Sequence, residues 1–381
     1  MEKQKEDRAG QGMKIVSIVW YKVLPPVFGG QKGIAGFNQQ LGKLVSLTCL
    51  CSKDNPPANE LSYRLLPELP THKWQFLQPS CWNKIRETIS LEKATHLILE
   101  HPYHGIAAIR SRHSTGVKLI VHSHNIESRR FRELGKWWWP VLYQYEKRIH
   151  RKADLSLFKT EADFRWALQH FKLAENKCLL LPYGIDPQPF ENIVNARVQL
   201  QQLYKISPDE KILLFAGTLD YEPNAEAVEV IYKEVVPRFN AKTFPFRILI
   251  CGRNRKKAFQ YLRAYQDSRV IMAGEVEDLN LYYEGADAFI NPVQRGGGMQ
   301  TKNIDALAQH LNVVCFEDMV DKQTRALAPD KLFTAAPGDW EGFTNQIIRA
   351  SRQSAETPAV FFDFYSWQNI VKKLLTRLQE D

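Results

Sequence analysis

Between Arg295 and Val314 the chain reads RGGGMQTKNIDALAQHLNVV, and this stretch holds the residue types best suited to chemistry. Gly296, Gly297 and Gly298 let the backbone approach a ligand closely and leave amide donors uncovered. Lys302, Asp305, Ala306 and Gln309 then recur at helical spacing, which predicts a helix beginning near Met299 or Gln300. A glycine turn feeding a helix N-terminus attracts anions, because unpaired amides and the helix dipole face the same way. Lys302 adds an ammonium in the first turn. Asp305, three residues on, offers a carboxylate on the same face, where it can accept from sugar hydroxyls. Amides and Lys302 for phosphates with a carboxylate for ribose make the vocabulary of a nucleotide-sugar pocket. The glycines by themselves fit equally well a strand-to-helix turn that needs only geometry.

A second group lies in the first half. The apolar runs His96–Glu100 (HLILE) and Lys118–His122 (KLIVH) read as buried strands. The first runs into His101, Pro102, Tyr103 and His104, and the second into Ser123, His124, Asn125, Ile126 and Glu127. Imidazoles at the carboxyl ends of parallel strands sit where open α/β sheets bind ligands, although a single histidine there is more often structural. Side-chain alternation is expected to send His122 to the opposite face of its strand. Further on, Arg129–Lys152 (RRFRELGKWWWPVLYQYEKRIHRK) sets Trp137, Trp138 and Trp139 among basic residues, with two acids in the whole segment. That mixture suits an anionic membrane surface or acceptor docking. It also suits single-stranded nucleic acid, or tryptophans capping a sheet beneath a solvated charged face. No helix-turn-helix, zinc-finger or RNP pattern supports nucleic acid as a partner.

These groups need a frame to hold them. Met13–Trp20 reads as a strand, Pro25–Gly36 as a loop, the stretch to Leu44 as a helix and Val45–Cys51 as a second strand, together a βαβ unit. Gly29, Gly30 and Gly33 give a loose G-G-x-x-G in that loop, a candidate acceptor or phosphate loop at the carboxyl edge of the sheet. Ala153–Phe158 and Cys178–Leu181 add strands, with Thr160 placed to cap the helix after the former. In the second half, Lys211–Ala216, Arg247–Cys251, Val270–Ala273 and Ala288–Asn291 alternate with helical stretches. Each half thus reads as its own Rossmann-like doubly wound α/β domain, residues 13–183 and 184–360. The tail Ser366–Leu378 carries Trp367, Ile370, Val371, Leu374, Leu375 and Leu378 at helical spacing behind a capping Ser366.

The 381 residues are 44% hydrophobic and 24% charged, ordinary for a two-domain globular protein. No apolar run is long enough to span a bilayer, and Met1–Gly12 lacks the apolar core of a signal peptide, so a cytoplasmic location is expected. The six cysteines, Cys49, Cys51, Cys81, Cys178, Cys251 and Cys315, form no C-x-x-C pair and read as buried free thiols. Residues 13–183 hold 25 Lys+Arg against 13 Asp+Glu, and residues 184–381 hold 23 against 26, so the net +9 originates in the first half. Such asymmetry points to a polyanion or an anionic membrane surface.

The run of glycines, Lys302, Asp305 and Ala306 resembles the donor-site signature of family 4 glycosyltransferases, roughly GGGT-x-x-K-x-x-E-A. Asp305 stands here for Glu and Met299 for a small hydroxyl residue. The V-H-S-H-N-I-E run at Val121–Glu127 resembles the family's strand ending in His-Asn or His-Asp, and Pro182–Asp186 (PYGID) resembles its interdomain hinge. The segment from Met272 to Asp287 resembles its G-x-V-x-D-L-x-x-x-Y-x-x-A-D run. The resemblance implies a GT-B fold, with the two domains facing across a cleft and the last helix, over residues 366–380, packing back on the first. It also implies retaining transfer from a UDP- or GDP-linked sugar to a glycan or lipid-linked acceptor. No cofactor or metal is implied, in keeping with the lack of a D-x-D motif. His124 takes the position of the family's active-site histidine and Lys302 the phosphate charge, the two catalytic candidates. Gly217, Glu275, Val276, Glu277, Met299 and Asp305 join the three glycines as donor-site candidates. The lysine the family carries about six residues past Gly217 is replaced here by Glu222, Pro223 and Asn224, which makes Arg253 and Arg295 candidate phosphate helpers. A sugar-nucleotide epimerase or phosphorylase of the same fold and a non-catalytic glycan- or lipid-binding relative are the alternatives.

Overall fold

A computed structural model describes residues 12–27, 29–58, 60–186, 193–240, 242–295 and 299–380. The chain divides into two compact units. The first runs through Gly184 and takes back the chain from Phe364 onward; the second is drawn from Ile185–Asp363.

The first unit is built on seven parallel strands: β1 (Lys14–Val19), β2 (Ser46–Ser52), β3 (Arg64–Leu69), β4 (His96–Glu100), β5 (Lys118–Ser123), β6 (Leu155–Phe158) and β7 (Cys178–Leu180). Their order is β3-β2-β1-β4-β5-β6-β7, so the winding reverses between β1 and β4. Strands such as HLILE are apolar without alternation because helices cover both faces of a parallel sheet. Val16, Ile18, Leu97, Leu99, Leu119 and Val121 fill one side of that core. β3 is absent from the strand pattern of the sequence because Pro67 interrupts it. A proline cannot donate to a ladder, and β3 tolerates one as the edge strand.

Helix α1 spans Gly29–Gly42, so Gly29 and Gly30 open a helix and do not lie in the loop expected for them. Ile34, Phe37 and Leu41 form a fully buried stripe that extends the helix backward against glycine's poor propensity. Gln31 fastens the entry: its Oε1 accepts from the Val27 amide at 2.8 Å and its Nε2 donates to the Lys22 carbonyl at 2.9 Å. Two further helices matter below, α2 (Glu127–Glu133) and α3 (Trp139–Lys152). Thr160 caps the helix after β6 by accepting from the Asp163 amide at 3.1 Å. The C-terminal helix Trp367–Gln379 buries its apolar stripe in this unit against α1. Lys373 and Arg377 also donate to the Leu180 and Asn176 carbonyls. Ser366 holds the cap position without a side-chain cap bond.

The second unit has six parallel strands: β8 (Lys211–Ala216), β9 (Phe246–Cys251), β10 (Val270–Gly274), β11 (Ala288–Asn291), β12 (Val313–Phe316) and β13 (Leu332–Ala335), in the order β10-β9-β8-β11-β12-β13. Helices α4 (Glu222–Val230) and α5 (Thr301–Ala308) follow β8 and β11. Both units are therefore Rossmann-like, the construction of GT-B proteins. All six cysteines are buried and free. No helix among the described residues is long and apolar enough to cross a membrane.

Candidate functional site

In the second unit the chemistry-bearing loops leave the carboxyl ends of β8, β9 and β11, the edge at which open α/β sheets bind ligands. Helix α5 begins at Thr301, which puts Lys302 in its first turn. Asn291, the last residue of β11, donates from Nδ2 to Asn303 Oδ1 at 2.8 Å, and this buried amide pair pins the helix start to its strand. The Lys302 ammonium lies 5.1 Å from the Phe215 ring centroid and donates to Asn224 Oδ1. Burial pushes its pKa from the usual 10.5 down to about 7. A cation held in low dielectric beside a helix N-terminus is poised for an anion, which would restore its charge.

Asn224 went unrecognised in the sequence, where it appeared only as a replacement for a basic residue. Here it is the clamp of the site. Its Nδ2 donates to the Thr218 carbonyl at 2.8 Å while Oδ1 holds Lys302. Gly217 is glycine because of that clamp, since a Cβ there would lie 2.9 Å from Asn224 Nδ2. Gly252 is constrained harder still: a Cβ would come within 1.9 Å of the Gly217 carbonyl oxygen. The loops after β8 and β9 are thus pressed backbone to backbone, with the Gly217 amide donating to the Cys251 carbonyl at 2.9 Å.

The remaining donor-site candidates fall as follows. Gly296, Gly297 and Gly298 lie outside the described residues. Met299 and Asp305 are partly buried, and the Asp305 charge helps to raise the pKa of buried Tyr283, behind the larger effect of burial itself. Arg253 lies 3.3 Å from Asp220, and Arg295 pairs with Glu226 on the surface. Glu275 pairs with Arg255 and is exposed, like Glu277, while Val276 is partly buried. Lys302 is thus the cation in the first turn of α5, while each arginine also lies beside an acid.

In the first unit β4 and β5 run side by side with Glu100 opposite His122. His122 does not turn to the opposite face. Residues two apart share a face, and both His122 and His124 reach Glu100. The Glu100 carboxylate, 1% exposed, meets His122 Nδ1 at 3.0 Å and His124 Nε2 at 2.6 Å. His101 stacks on His124 with ring centroids 4.5 Å apart, and its Nδ1 lies 3.2 Å from Glu127. Tyr103 and Arg130 also donate to Glu127, at 3.0 and 3.2 Å. Glu146 on α3 accepts from the Glu127 and Ser128 amides, capping α2 and fixing where Glu127 sits. Lys159, just past β6 and 4% exposed, has no hydrogen-bond partner among the described residues and lies 5.7 Å from the Trp367 ring.

Burial pushes His122 down to about 4 and His124 well below its usual value, so both rings are neutral. Burial alone would raise Glu100, but attraction to His122 and His124 when they are protonated, together with their hydrogen bonds, outweighs it and lowers the carboxyl. Lys159 falls to about 8 through burial, with Glu100 opposing. Glu100, His122 and His124 place potential metal ligands within 4.8 Å of one another. The carboxylate already serves both rings, so their convergence is accounted for by hydrogen bonds. His101 adopts φ 72°, ψ 156°, a conformation almost confined to glycine that costs about 1–3 kcal/mol and collects at functional sites. Nothing in the sequence gave notice of it.

The tryptophan run divides. Trp138 packs on Phe131 with centroids 4.5 Å apart, Arg132 covers Trp139 at 5.0 Å, and Trp137 is 86% exposed in the turn between α2 and α3. Val141 and Leu134 are exposed beside it in the chain.

Residues 29–189 match the family model described as Glycosyltransferase Family 4, and residues 210–353 match Glycosyl transferases group 1. No curated protein matches the chain. Among solved structures, sucrose-phosphate synthase from Thermosynechococcus elongatus is similar at TM-score 0.75 and 15% identity, over 96% of this chain and 98% of its own. A glycosyltransferase from Rickettsia africae is similar at TM-score 0.72 and 13% identity, over 97% and 98%. Anabaena HepE in complex with UDP and glucose is similar at TM-score 0.72 and 10% identity, over 97% and 100%. At these identities the likeness concerns the fold.

Proposed function

The chain belongs to the glycosyltransferases, with a family 4 domain followed by a group 1 domain, and from that premise we propose that it transfers a sugar from a nucleoside diphosphate to a glycan or lipid-linked acceptor with retention of configuration. The observation that carries the donor assignment is Lys302, sunk beside the first turn of α5 and aimed by Asn224. As the bond to the leaving diphosphate breaks, negative charge grows on its oxygens. A preorganised ammonium and helix amides lower that barrier more than they favour the ground state. Asp305 is assigned to ribose and His124 to a hydroxyl of the transferred sugar. No metal takes part in the proposed transfer. UDP is the leading nucleotide, since HepE, which shares the fold, was solved with it.

A thermal-shift screen of UDP, GDP, ADP, TDP and their sugars tests the donor assignment. A true donor at about 100 times its dissociation constant adds roughly 2.7 kcal/mol and raises the melting temperature. No shift with any diphosphate would reject the assignment. Product formed from the donor alone, without acceptor, would indicate an epimerase instead.

We further assign the Arg129–Lys152 stretch to an anionic membrane surface, at the inner face where lipid-linked acceptors are presented. Exposed Trp137 would enter the headgroup boundary while the basic residues meet lipid charge. Vesicles with anionic lipid are expected to retain the protein and neutral vesicles to release it. Trp137→Ala should weaken retention about 10- to 150-fold, from the roughly 1.5–3 kcal/mol gained by burying a large apolar side chain. Equal binding to both vesicle types, or an unaffected variant, would defeat this part.

A further inference from the structure

We propose that Glu100 is a positioning residue that locks His124 in its Nε2–H tautomer, leaving the Nδ1 lone pair to accept a hydrogen bond from a sugar hydroxyl. The inference rests on His124 being the sugar contact assigned above, and it adds the residue that sets the direction of that contact.

An ionised carboxylate only accepts, so each ring nitrogen facing Glu100 must carry a proton. For His124 that nitrogen is Nε2, at 2.6 Å, and for His122 it is Nδ1, at 3.0 Å. The other nitrogens then follow. His122 Nε2 is buried without a hydrogen-bond partner among the described residues, which is tolerable for a bare acceptor and far less so for an N–H. Among the described residues the His124 hydrogen bond is the one from Nε2 to Glu100. His124 is also the member of the trio that reaches the surface: its side chain is 8% exposed, against 0% for Glu100 and His122.

Protonating the rings is not an escape. His101 and His122 each stack or tilt against His124 at 4.5 Å, so a second or third imidazolium would meet like charge at short range. The charges also balance without it. Of the acids that touch the histidine rings, Glu100 has Lys159 near it and Glu127 pairs with Arg130. Turning the His124 ring over would set Cε1 in the place of Nε2 against the carboxylate, losing a charge-assisted bond. A hydroxyl on the ligand is thus met by an acceptor, and it must donate.

The test uses the full, tag-free chain with 15N-labelled histidine at pH 7.5, with His124→Gln serving to identify the His124 signals. Long-range proton–nitrogen correlation should show His124 protonated at Nε2 and bare at Nδ1. Glu100→Gln keeps the shape but can donate as well as accept, and should mix or reverse that pattern. Its turnover should fall about 10- to 100-fold, the worth of one hydrogen bond to a charged group, with the donor KM little changed. Glu100→Asp keeps the carboxylate and should retain the wild-type tautomer, which preserves the test if the glutamine variant fails to fold. A wild-type His124 protonated at Nδ1 or at both nitrogens would overturn the proposal, as would an unchanged nitrogen pattern in Glu100→Gln. The spectrum does not depend on turnover, so a correct tautomer in a protein that transfers no sugar would fault the functional assignment and not this one.

Discussion

Lys302→Ala is expected to lower turnover by about 10²-fold or more, in line with the loss of one charge-stabilising group at a leaving anion. Unchanged transfer by this variant in a steady-state assay would remove Lys302 from the mechanism. The same side chain should prove costly to the fold. Its pKa falls from 10.5 unfolded to about 7 folded, so the folded protein disfavours the charged form by several kcal/mol. Below about pH 7 both states hold the proton and the cost is fully present. Between about pH 7 and 10.5 the unfolded chain binds more protons than the folded one, so stability rises with pH across that window. Lys302→Met removes the cost and strands Asn224 Oδ1, a loss of only about 1–3 kcal/mol. The methionine variant should therefore melt higher at pH 7, and the pH slope from this group should vanish. A melting temperature that drops in Lys302→Met would show that the ammonium is not buried as described. Activity and stability oppose each other at this residue, as expected where a site is preorganised for a ligand it has yet to receive.

Trp367→Ala should destabilise the first unit by about 3–5 kcal/mol, the usual cost of emptying a large aromatic from a packed site. The ring, 3% exposed, fills a slot made by two missing side chains. A Cβ on Gly36 would lie 2.5 Å from its Nε1, and one on Gly184 would lie 2.2 Å from its Cδ2. Tyr183 meets it edge-on at 5.8 Å and Lys159 lies against it. Gly36 and Gly184 have no side chain with which to fill the space left behind. For a domain of this size, melting should fall on the order of 10 °C. Trp137→Ala is the matched control: it removes the same side chain from an exposed turn and should leave the melting temperature within about 1 °C, as surface substitutions do. A similar drop in both variants would deny Trp367 its special place.

How far the sequence reached differs from residue to residue. Strands such as His96–Glu100 and Lys211–Ala216 were legible because burial on both faces leaves an unbroken apolar run. The helix carrying Lys302 was legible from residues recurring every three or four positions. β3 was not, because Pro67 breaks the run and only an edge position excuses it. The start of α1 was misplaced because glycine propensity argues for a loop, and the buried stripe of Ile34, Phe37 and Leu41 overrides it only once the sheet is there to pack on. The expectation for His122 failed on counting: residues two apart share a face, and Glu100 gathers both rings.

The sequence by itself determined the class of fold, the family and which lysine lies in the first turn of the helix after β11, since each depends on local spacing along the chain. Only the tertiary structure decided that Asn224 holds the ammonium of that lysine from 78 positions away, that Glu100 orders two histidines at the carboxyl end of the next strand, and that one tryptophan of nine is wedged between two glycines. The reason is physical. Spacing along a chain fixes which side chains share an element, whereas desolvation, hydrogen-bond direction and close backbone approach arise between elements, and no segment carries them alone.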